Sequence, residues 1–256
     1  MKVVTDTREL PLGCAFVPTM GALHAGHASL FELAKSYSNQ VIASIFVNPL
    51  QFENEEDLAK YPRTPDRDIE LAAASGVDFL WMPKQSDIYP ENYPIIKAGP
   101  IGDIFEGKSR TGHFDGVVTV VNRLFQLVKP RYAIFGEKDF QQLHLIKAIA
   151  EDVEIIAAPT VREADGLALS SRNIRLTPEG RTAAKIIYEA LTRCSNEEEL
   201  RAILATESML TLDYADFIDE KTFHHAQSDT TAVRAIVAGW INGVRLIDNM
   251  SMGNRA

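Results

Sequence analysis

Two histidines, His24 and His27, stand in a short glycine-containing stretch near the start of the chain. The stretch reads Pro18-Thr19-Met20-Gly21-Ala22-Leu23-His24-Ala25-Gly26-His27. Imidazoles three residues apart can present N–H donors from one side of a turn, and Gly26 lets a ligand approach the backbone with no Cβ in the way. The first N–H groups of a helix lack internal partners and favour anions, so a turn that opens a helix here predicts a bound nucleotide phosphate.

Two other interpretations of these histidines remain open. They are either surface residues at a helix start, or two of the three or more ligands of a metal site whose other ligands are not local. An apolar run, 14–17, precedes the stretch, and a helical pattern, 28–37, follows it. This order of strand, turn and helix favours the nucleotide site.

Lys138 is a second candidate for binding phosphate. It follows a predicted strand and precedes a predicted helix, so its ammonium can meet phosphate oxygens at the same crevice as the histidine turn. The alternative is a surface lysine paired with Glu137 or Asp139. Gln141 and Gln142 follow and add neutral donors and acceptors.

Two loops carry further polar groups. A later turn contains Ser170, Ser171 and Arg172, which are residue types that suit triphosphate binding from a mobile loop. Gln51 follows the apolar run 41–47 in a proline-containing turn, and open α/β sheets bind ligands at the carboxyl ends of their strands. Gln51 is therefore a candidate substrate contact, although on spacing alone a glutamine after a strand is more often an ordinary loop residue.

The segment 102–109 matches the phosphate-loop pattern G-x-x-x-x-G-K-[ST] letter for letter. That pattern binds phosphate only where a buried strand feeds the loop and a helix begins at the lysine. A Gly-Pro pair precedes this segment, Gly112 follows it, and Asp103 and Glu106 would bring negative charge towards the phosphates. We therefore expect an accidental match in an exposed loop near the site.

Apolar runs alternate with helical patterns over the first part of the chain. Strands are predicted at 14–17, 41–47, 77–82, 132–135 and 153–157, and helices at 28–37, 64–76, 114–128 and about 141–150. Apolar runs without alternation are typical of strands that are covered on both faces of a parallel sheet. The pattern predicts an α/β fold with a Rossmann-like, doubly wound parallel sheet.

The rhythm changes near residue 160. A helix is predicted at 177–194, and Ser195 and Glu198 are expected to form the capping box of the next helix. Strand-like runs follow at 214–218, 232–238 and 244–247. We expect a nucleotide- and substrate-binding domain at 1–160 and a smaller α+β domain at 161–256.

Composition limits the classes of function. With 256 residues, of which 46% are hydrophobic and 24% charged, the chain can bury a sizeable core. A formal net charge of −9 argues against a broad nucleic-acid footprint, so an anionic substrate must be held by a few local cations. The chain has only Cys14 and Cys194, and no apolar stretch approaches the ~20 residues needed to cross a bilayer. We expect a cytoplasmic protein with two structural thiols, no nucleic-acid partner and no membrane segment.

Several motifs occur in a fixed order and together resemble one known family. They are Pro18-Thr19-Met20-Gly21 with His24-Ala25-Gly26-His27, Phe46-Val47-Asn48-Pro49-Leu50-Gln51-Phe52, Gly112-His113-Phe114 with Gly116-Val117, Phe135-Gly136-Glu137-Lys138-Asp139 with Gln141-Gln142, Val161-Arg162-Glu163-Ala164-Asp165-Gly166, Ser170-Ser171-Arg172-Asn173 and Arg245-Leu246-Ile247-Asp248-Asn249. H-x-G-H alone is shared by many nucleotidyltransferases, but the full set resembles the pantoate-β-alanine ligases, or pantothenate synthetases, over nearly the whole chain. Thr111 stands where that family usually has proline, and Leu169 where it usually has methionine.

This resemblance implies an ATP-dependent ligation in two steps. The carboxylate of pantoate attacks the α-phosphorus of ATP and releases pyrophosphate, and the amine of β-alanine then displaces AMP from pantoyl adenylate. No protein nucleophile is needed. The protein would position the substrates, neutralise charge on the phosphates and keep water from the adenylate.

The resemblance also implies which residues form the site. His27, His24 and Lys138 would be catalytic, with His27 as the proton donor. ATP would be bound by Met20, Gly21, Ala22, Leu23, His24, Ala25, Gly26, His27, Gly136, Glu137, Lys138, Asp139, Val161, Leu169, Ser170, Ser171 and Arg172, and pantoate by Gln51 and Gln142. The C-terminal domain would act as a lid.

Mg²⁺ is expected with the triphosphate, and its protein ligands are unknown. Asp66 and Asp68 are candidates, although acids at a helix start more often serve the helix itself. The resemblance implies a homodimer whose small-molecule partners are pantoate, β-alanine and ATP. Two alternatives to the ligase remain, a different H-x-G-H nucleotidyltransferase that releases a dinucleotide or a CDP-linked product, and a nucleotide-binding sensor without turnover.

Overall fold

The chain divides into two compact units. The computed structural model describes residues 1–53 and 55–254, so positions 255 and 256 of the predicted C-terminal domain lie outside the described residues. The first unit comprises Met1–Glu137 and Gln141–Pro159, and the second comprises Lys138–Phe140 and Thr160–Ala256. A three-residue segment that carries Lys138 therefore clusters with the C-terminal part of the chain.

A parallel sheet forms the centre of the first unit. Its strands, counted over the described residues, are six: β1 (Lys2–Val4), β2 (Ala15–Thr19), β3 (Val41–Ile45), β4 (Phe79–Trp81), β5 (Tyr132–Gly136) and β6 (Glu154–Ala158). They lie in the order β1-β4-β3-β2-β5-β6, and every neighbouring pair is parallel. The chain winds outward from β2 in both directions, so the predicted Rossmann-like doubly wound sheet is confirmed.

Helices cover both faces of this sheet. They are α1 (Ala25–Tyr37), α2 (Glu55–Lys60), α3 (Pro65–Ala74), α4 (Gln85–Ile88), α5 (Glu106–Ser109), α6 (His113–Val128) and α7 (Phe140–Ile149). Successive side chains of a strand point to opposite faces. Ile134 of β5 shares a core cluster with Phe31 of α1, whereas the next residue, Phe135, meets Phe125 of α6 edge to face, with ring centroids 6.4 Å apart. Within the described part of the chain, no helix is long and apolar enough to span a membrane.

Two predicted boundaries around the histidine turn are wrong by a few residues. Strand β2 continues through Pro18 to Thr19, because its pairing with β5 ends at Phe16 and the missing N–H of the proline costs no bond on that side. Helix α1 begins at Ala25 rather than residue 28, because the side chain of His24 caps it. Strand β1, at the edge of the sheet, is too short for a sequence pattern to indicate it.

The second unit is a small α+β domain, as predicted. Its described elements are α8 (Pro178–Arg193), α9 (Glu197–Leu204) and an antiparallel sheet in the order β7 (Thr211–Asp219), β8 (Ala232–Ile241), β9 (Val244–Asn254). Leu191 of α8 and Leu200 of α9 pack in one core cluster with Ala235 and Val237 of β8. The apolar stripes of both helices thus cover one face of the sheet.

The cap of α9 lies one residue later than predicted. Asn196, not Ser195, is the N-cap, and its side chain accepts the N–H of Glu199 at 2.9 Å. The carboxylate of Glu199 accepts the N–H of Ser195 at 2.8 Å, so Glu199 takes the role expected of Glu198. Both candidate cap residues are good ones, and the side-chain geometry decides between them.

The segment 102–109 is only in part the exposed loop that the sequence predicts, because some of its residues are buried. A 3₁₀ turn, Pro100–Asp103, rather than a strand precedes the four-residue helix α5. The segment therefore lacks the strand that a phosphate-binding loop requires, as the sequence context predicts. Glu106, however, is only 5% exposed. A Cβ added to Gly107 would lie 1.8 Å from the carbonyl oxygen of Gly102, so this close backbone contact requires glycine. Gly102 and Gly107 are buried, whereas Asp103 and Lys108 are exposed.

Candidate functional site

The two histidines meet at the start of α1. His24 is the N-cap, and its Nδ1 accepts the N–H of Gly26 at 3.1 Å. The N–H of His24 donates to Nδ1 of His27 at 3.3 Å, so the two imidazoles form a reciprocal capping box. Their ring centroids lie 4.2 Å apart. The structure therefore places the pair side by side at the positive end of a helix.

This capping box determines which ring nitrogen carries the proton. An imidazole nitrogen that accepts an N–H bears no proton, so neutral His24 and His27 hold their protons on Nε2. The sequence predicts that both rings supply N–H donors, and in the structure only the Nε2–H group of each ring can do so. Protonation of Nδ1 in either ring would remove an acceptor from the cap.

A buried carboxylate, that of Asp68, holds the turn before α1. Gly21 and Ala22 have φ angles of +83° and +51°, a left-handed conformation that is easy for glycine and strained for alanine. The N–H of Ala22 donates to Asp68 Oδ2 at 2.9 Å, and the N–H of Leu23 donates to Oδ1 at 2.7 Å. Asp68 is 1% exposed and also accepts the hydroxyl of Thr64 at 3.0 Å. The carboxylate compensates for the strain by binding two successive backbone N–H groups.

One backbone donor at the start of α1 has no partner within the described residues. The N–H groups of His27 and Ala28 donate to the carbonyl of His24 at 2.8 and 3.1 Å, and that of Gly26 donates to its side chain. The N–H of Ala25, an exposed residue, is left over. A helix start with an unused N–H is suited to bind an anion.

Gln51 lies in a 3₁₀ turn, Pro49–Gln51, after β3, and it is 8% exposed. Its Oε1 accepts the Nδ2–H of Asn48 at 3.1 Å, and its Nε2 donates to Sδ of Met20 at 3.0 Å. The sulfur is a weak acceptor, so this second contact leaves the amide N–H groups able to bind a better one. Gln51 thus presents donors, which suit a carboxylate or hydroxyl oxygen.

Tyr89 fixes the orientation of the Asn48 amide. Its hydroxyl donates to Asn48 Oδ1 at 2.8 Å, and Asn48 Nδ2 donates to the carbonyl of Gly116 at 3.0 Å as well as to Gln51. Burial raises the pKa of Tyr89, which keeps the hydroxyl protonated and therefore a donor. A chain of defined donors and acceptors runs from Tyr89 through Asn48 to Gln51.

His113, the first residue of α6, is a buried residue to which the sequence patterns give no role. Its Nδ1 lies 2.8 Å from the carbonyl oxygen of Gln51, so Nδ1 carries the proton and donates. Its Nε2, 3.1 Å from Nη1 of Arg110, is then the acceptor. A Cβ on Gly116 would lie 2.2 Å from the carbonyl oxygen of Leu50, so α6 approaches this turn closely. Together these contacts hold the backbone of the Gln51 turn.

The two adjacent glutamines, Gln141 and Gln142, differ in their environments. Gln141 Nε2 donates to the carbonyls of Ile101 and Ile104 at 2.7 and 2.8 Å, and its Oε1 accepts the N–H of Glu106 at 3.1 Å. Its amide is therefore used within the fold. The side chain of Gln142 is partly exposed and has no hydrogen-bond partner in the part of the chain that the structure describes. Only Gln142 keeps its amide available to a ligand.

Lys138 lies in a 3₁₀ turn, Glu137–Asp139, directly after β5. Its Nζ is 3.5 Å from Oδ1 of Asp139, which is longer than the roughly 2.7–2.9 Å of a strong charge-assisted bond. The local pairing that the sequence left open is therefore present, but it is weak. It leaves the ammonium able to bind an anion.

The other predicted residues of the second unit lie in one hairpin and the turn after it. Val161 and Leu169 are paired, since the N–H of Leu169 donates to the carbonyl of Val161 at 3.0 Å. Ser170 caps the 3₁₀ turn Ser171–Arg175, and its Oγ accepts the N–H of Arg172 at 3.2 Å. The guanidinium of Arg172 makes no ion pair with any described residue. This turn therefore offers a cation beside two hydroxyls.

Each unit brings together its own share of the predicted residues. The first holds residues 20–27, Gln51, Gly136, Glu137 and Gln142, and the second holds Lys138, Asp139, Val161, Leu169, Ser170, Ser171 and Arg172. Asp68, Asn48, Tyr89 and His113 support these residues and were not predicted to do so.

A protein-bound metal cage is not found among the residues that the structure describes. No group of three or more His, Cys, Asp or Glu residues that could hold a metal occurs in 1–53 and 55–254, so the metal-site interpretation of His24 and His27 lacks further ligands. Asp66 is exposed, and the oxygens of Asp68 are bound by two backbone N–H groups and a hydroxyl. These contacts give Asp68 a structural role, and a magnesium contact at Asp66 or Asp68 stays a prediction.

Comparison with known proteins gives a consistent family assignment. The profile of the family described as pantoate-beta-alanine ligase matches residues 2–251. A pantothenate synthetase of Acidothermus cellulolyticus is 47% identical over 258 residues, which cover 93% of this chain and 85% of that protein.

Two solved structures have the same fold. Pantothenate synthetase from Thermus thermophilus superposes with a TM-score of 0.93 at 40% identity, covering 99% of this chain and 100% of the other. Pantoate-beta-alanine ligase from Francisella tularensis, complexed with beta-gamma ATP and beta-alanine, superposes with a TM-score of 0.84 at 39% identity, covering 98% of each chain.

Proposed function

The chain belongs to the pantoate-beta-alanine ligase family, and from this membership we propose that it joins pantoate to β-alanine at the expense of ATP. The observation that carries the proposal is the match of the family profile over residues 2–251. The arrangement of donors at the start of α1 and at Gln51 agrees with an enzyme that holds an anionic nucleotide and a small hydroxy acid.

The reaction proceeds through pantoyl adenylate. A carboxylate oxygen of pantoate forms a bond to the α-phosphorus while the bond from that phosphorus to the bridging oxygen of pyrophosphate breaks. The amine of β-alanine then attacks the acyl carbon and AMP leaves with the carboxylate oxygen, while the amine loses a proton. Both steps need aligned reactants and donors for the growing phosphate charge rather than a protein nucleophile.

The start of α1 binds the ATP phosphates. His24 and His27 donate their Nε2–H groups to phosphate oxygens, because each Nδ1 serves the capping box. His27 is the proton donor to the leaving pyrophosphate. The unused N–H of Ala25 adds a backbone donor at the positive end of the helix. Met20, Gly21, Ala22, Leu23 and Gly26 complete this part of the ATP site.

Pantoate is held by Gln51 and Gln142. The amide of Gln51 offers N–H donors because Asn48 occupies its oxygen, and such donors suit the carboxylate of pantoate. Gln142 has an amide that the fold does not use. Their amides can bind both the carboxylate and the hydroxyl groups of this substrate.

Residues of the second unit bind the nucleotide as well. Lys138 and Arg172 supply positive charge, and Ser170 and Ser171 supply hydroxyl groups to the phosphates. Asp139, Val161 and Leu169 of this unit also contact the nucleotide, as do Gly136 and Glu137 of the first unit.

We also propose that Mg²⁺ accompanies ATP, that the protein is a homodimer and that it acts in the cytoplasm. Mg²⁺ typically keeps several waters and binds through substrate phosphates and one or two carboxylates, so it does not require a cage of protein ligands. We assign no protein ligand to it. The buried thiols Cys14 and Cys194, which form no disulfide, suit a reducing compartment.

An omission assay tests the function. The purified protein is incubated with ATP, pantoate and β-alanine, and AMP, pyrophosphate and the amide are measured by chromatography. Sustained AMP formation that requires both organic substrates supports the ligase. A dinucleotide or CDP-linked product would indicate a different nucleotidyltransferase, and nucleotide binding without AMP would indicate a sensor.

A further inference from the structure

The backbone of Lys138 is held by a side chain from β9. Asn249 Nδ2 donates to the carbonyl oxygen of Lys138 at 2.9 Å. Asn249 is 4% exposed, so a lost hydrogen bond here would not be replaced freely by water. The contact lies within the second unit, to which the segment Lys138–Phe140 belongs.

A buried arginine fixes the orientation of this amide. Arg234, on β8 and 6% exposed, donates from Nη1 to Asn249 Oδ1 at 2.6 Å. Because a guanidinium has only donors, Oδ1 must face Arg234, and the N–H groups of Asn249 must face Lys138. Glu220 Oε1 accepts the Nε–H of the same arginine at 3.1 Å, which offsets the buried charge.

Arg234 also contacts the segment Lys138–Phe140 directly, through the ring of Phe140. Its guanidinium carbon lies 3.9 Å from the ring centroid of Phe140, a cation–π contact. The ring of Phe140 stacks on that of Phe223, with centroids 6.0 Å apart and planes 23° apart. Lys138 is thus held through its carbonyl, and Phe140 is held through its ring.

The strand that carries Asn249 is itself tied in place. Asp248 accepts two guanidinium bonds from Arg162, with Nη1–Oδ2 at 2.6 Å and Nη2–Oδ1 at 2.9 Å. The N–H of Asn249 donates to Asp248 Oδ1 at 2.8 Å. A bidentate pair of this kind sets both distance and angle, so the position of Asn249 is well defined.

From these contacts we propose that Asn249 and Arg234 are positioning residues that set the place of the Lys138 ammonium in the reaction. This inference rests on the proposed role of Lys138 in binding the ATP phosphates. A lysine acts as a point charge on a flexible stem, so its contribution depends on where its backbone is fixed. Small misplacements of a catalytic group can cost up to about 100-fold in rate.

A double-mutant cycle tests the proposal. Adenylate formation is measured by pyrophosphate release in single-turnover experiments for the wild type, Asn249→Ala, Lys138→Ala and the double variant. Asn249→Ala is expected to slow the step at least about 10-fold and to raise KM for ATP while leaving KM for β-alanine within about twofold. In the Lys138→Ala background, Asn249→Ala should change the rate by less than about twofold, because the group that it positions is gone.

Two further variants guard against a general structural effect. Asn249→Asp keeps the size and the Arg234 contact but sets a carboxylate oxygen against the Lys138 carbonyl, so it should reproduce the loss even where the alanine variant folds poorly. Arg245→Met is the matched control, because Arg245 lies in the same sheet as Arg234 and makes the same two kinds of contact. Its Nη2 donates to Asp213 Oδ2 at 2.7 Å, and its guanidinium carbon lies 4.6 Å from the ring centroid of Trp240. It should retain near-wild-type rates.

Each outcome decides a different claim. Equal losses from Asn249→Ala with and without Lys138, or a normal rate in both Asn249 variants, overturn the positioning role. A wild-type protein that releases no pyrophosphate with ATP and pantoate overturns the proposed function instead.

Discussion

Asp68 Oδ1 accepts the backbone N–H of Leu23 at 2.7 Å, although the two residues are 45 positions apart in the chain. The same carboxylate accepts the N–H of Ala22 and the hydroxyl of Thr64. This buried group therefore ties the start of α3 to the turn that presents His24 and His27. The position of the donors in that turn therefore depends on Asp68, although none of these three hydrogen bonds involves an imidazole.

Removing this carboxylate should destabilise the protein. Asp68→Ala is expected to lower the free energy of unfolding by about 2–4 kcal/mol, because one buried and one part-buried N–H group lose a charged acceptor. Asp66→Ala, in the same helical turn but exposed, should change it by less than about 0.5 kcal/mol. Urea unfolding of both variants measures the difference, and equal midpoints for the two would rule out the anchoring role of Asp68.

Removing His27 should affect chemistry more than stability. His27→Ala is expected to slow adenylate formation by at least about 100-fold through loss of a transition-state donor, and to cost only about 1 kcal/mol of stability through loss of a cap partner. Lys138→Ala should slow the same step to a similar extent. His224→Ala, which alters an exposed histidine, is the control. Near-normal single-turnover rates in both His27→Ala and Lys138→Ala would contradict the assigned roles.

The amide of Gln51 should decide pantoate binding. Gln51→Ala is expected to raise KM for pantoate about 10-fold or more with little change in KM for ATP. Asn48→Asp should also raise KM for pantoate. A carboxylate at position 48 would attract the amide N–H groups of Gln51 and turn the amide oxygen of Gln51 towards the substrate. Steady-state kinetics with each substrate varied in turn measures the two constants, and exposed Gln85→Ala serves as the control. Equal losses for ATP and pantoate would show that Gln51 is not a selective contact.

Asp216, on β7, should make stability depend on pH. Burial raises its pKa above the ordinary 3.8, as does the charge of Glu197, while His225 and Arg201 lower it in part. Between pH 3.8 and the raised pKa, the carboxyl group of Asp216 keeps its proton in the folded protein but has lost it in the unfolded chain. The contribution of Asp216 to stability should therefore be fully present below pH 3.8 and be lost as the pH rises through the raised pKa.

The variant Asp216→Asn should lack this part of the pH dependence. Urea midpoints of the wild type and the variant, taken from about pH 4 upward in steps, measure it. The wild type should lose stability over the window just above pH 3.8, and the variant should lose less. Parallel curves for the two proteins would refute the assignment to Asp216.

Much of the fold could be predicted because strong local patterns specify it. The apolar runs that became β3 and β5 are buried on both faces, and the stripe of α6 has the helical period. The short β1 has no pattern of its own, since its three residues gain their strand conformation from pairing with β4. A tertiary contact of this kind cannot be read from local sequence.

The sequence indicated candidate donors for the site but not the side chains that hold them in place. The spacing of His24 and His27 indicated a helix start, but the capping box that removes both Nδ1 atoms depends on the observed geometry. Asp68 looked like a helix-start acid because the two backbone N–H groups that it binds, those of Ala22 and Leu23, lie in a distant part of the chain. The change in rhythm predicted a boundary near residue 160, whereas nothing local indicated that Lys138 clusters with the second unit.

The path of one oxygen atom tests the proposed reaction most directly. Pantoate labelled with oxygen-18 in its carboxylate is converted with ATP and β-alanine, and the nucleotide product is examined by mass spectrometry. A pantoyl-adenylate mechanism leaves one carboxylate oxygen on AMP, so AMP should carry one oxygen-18 atom and the amide the other. Unlabelled AMP, or label in inorganic phosphate with ADP as the nucleotide, would contradict the mechanism.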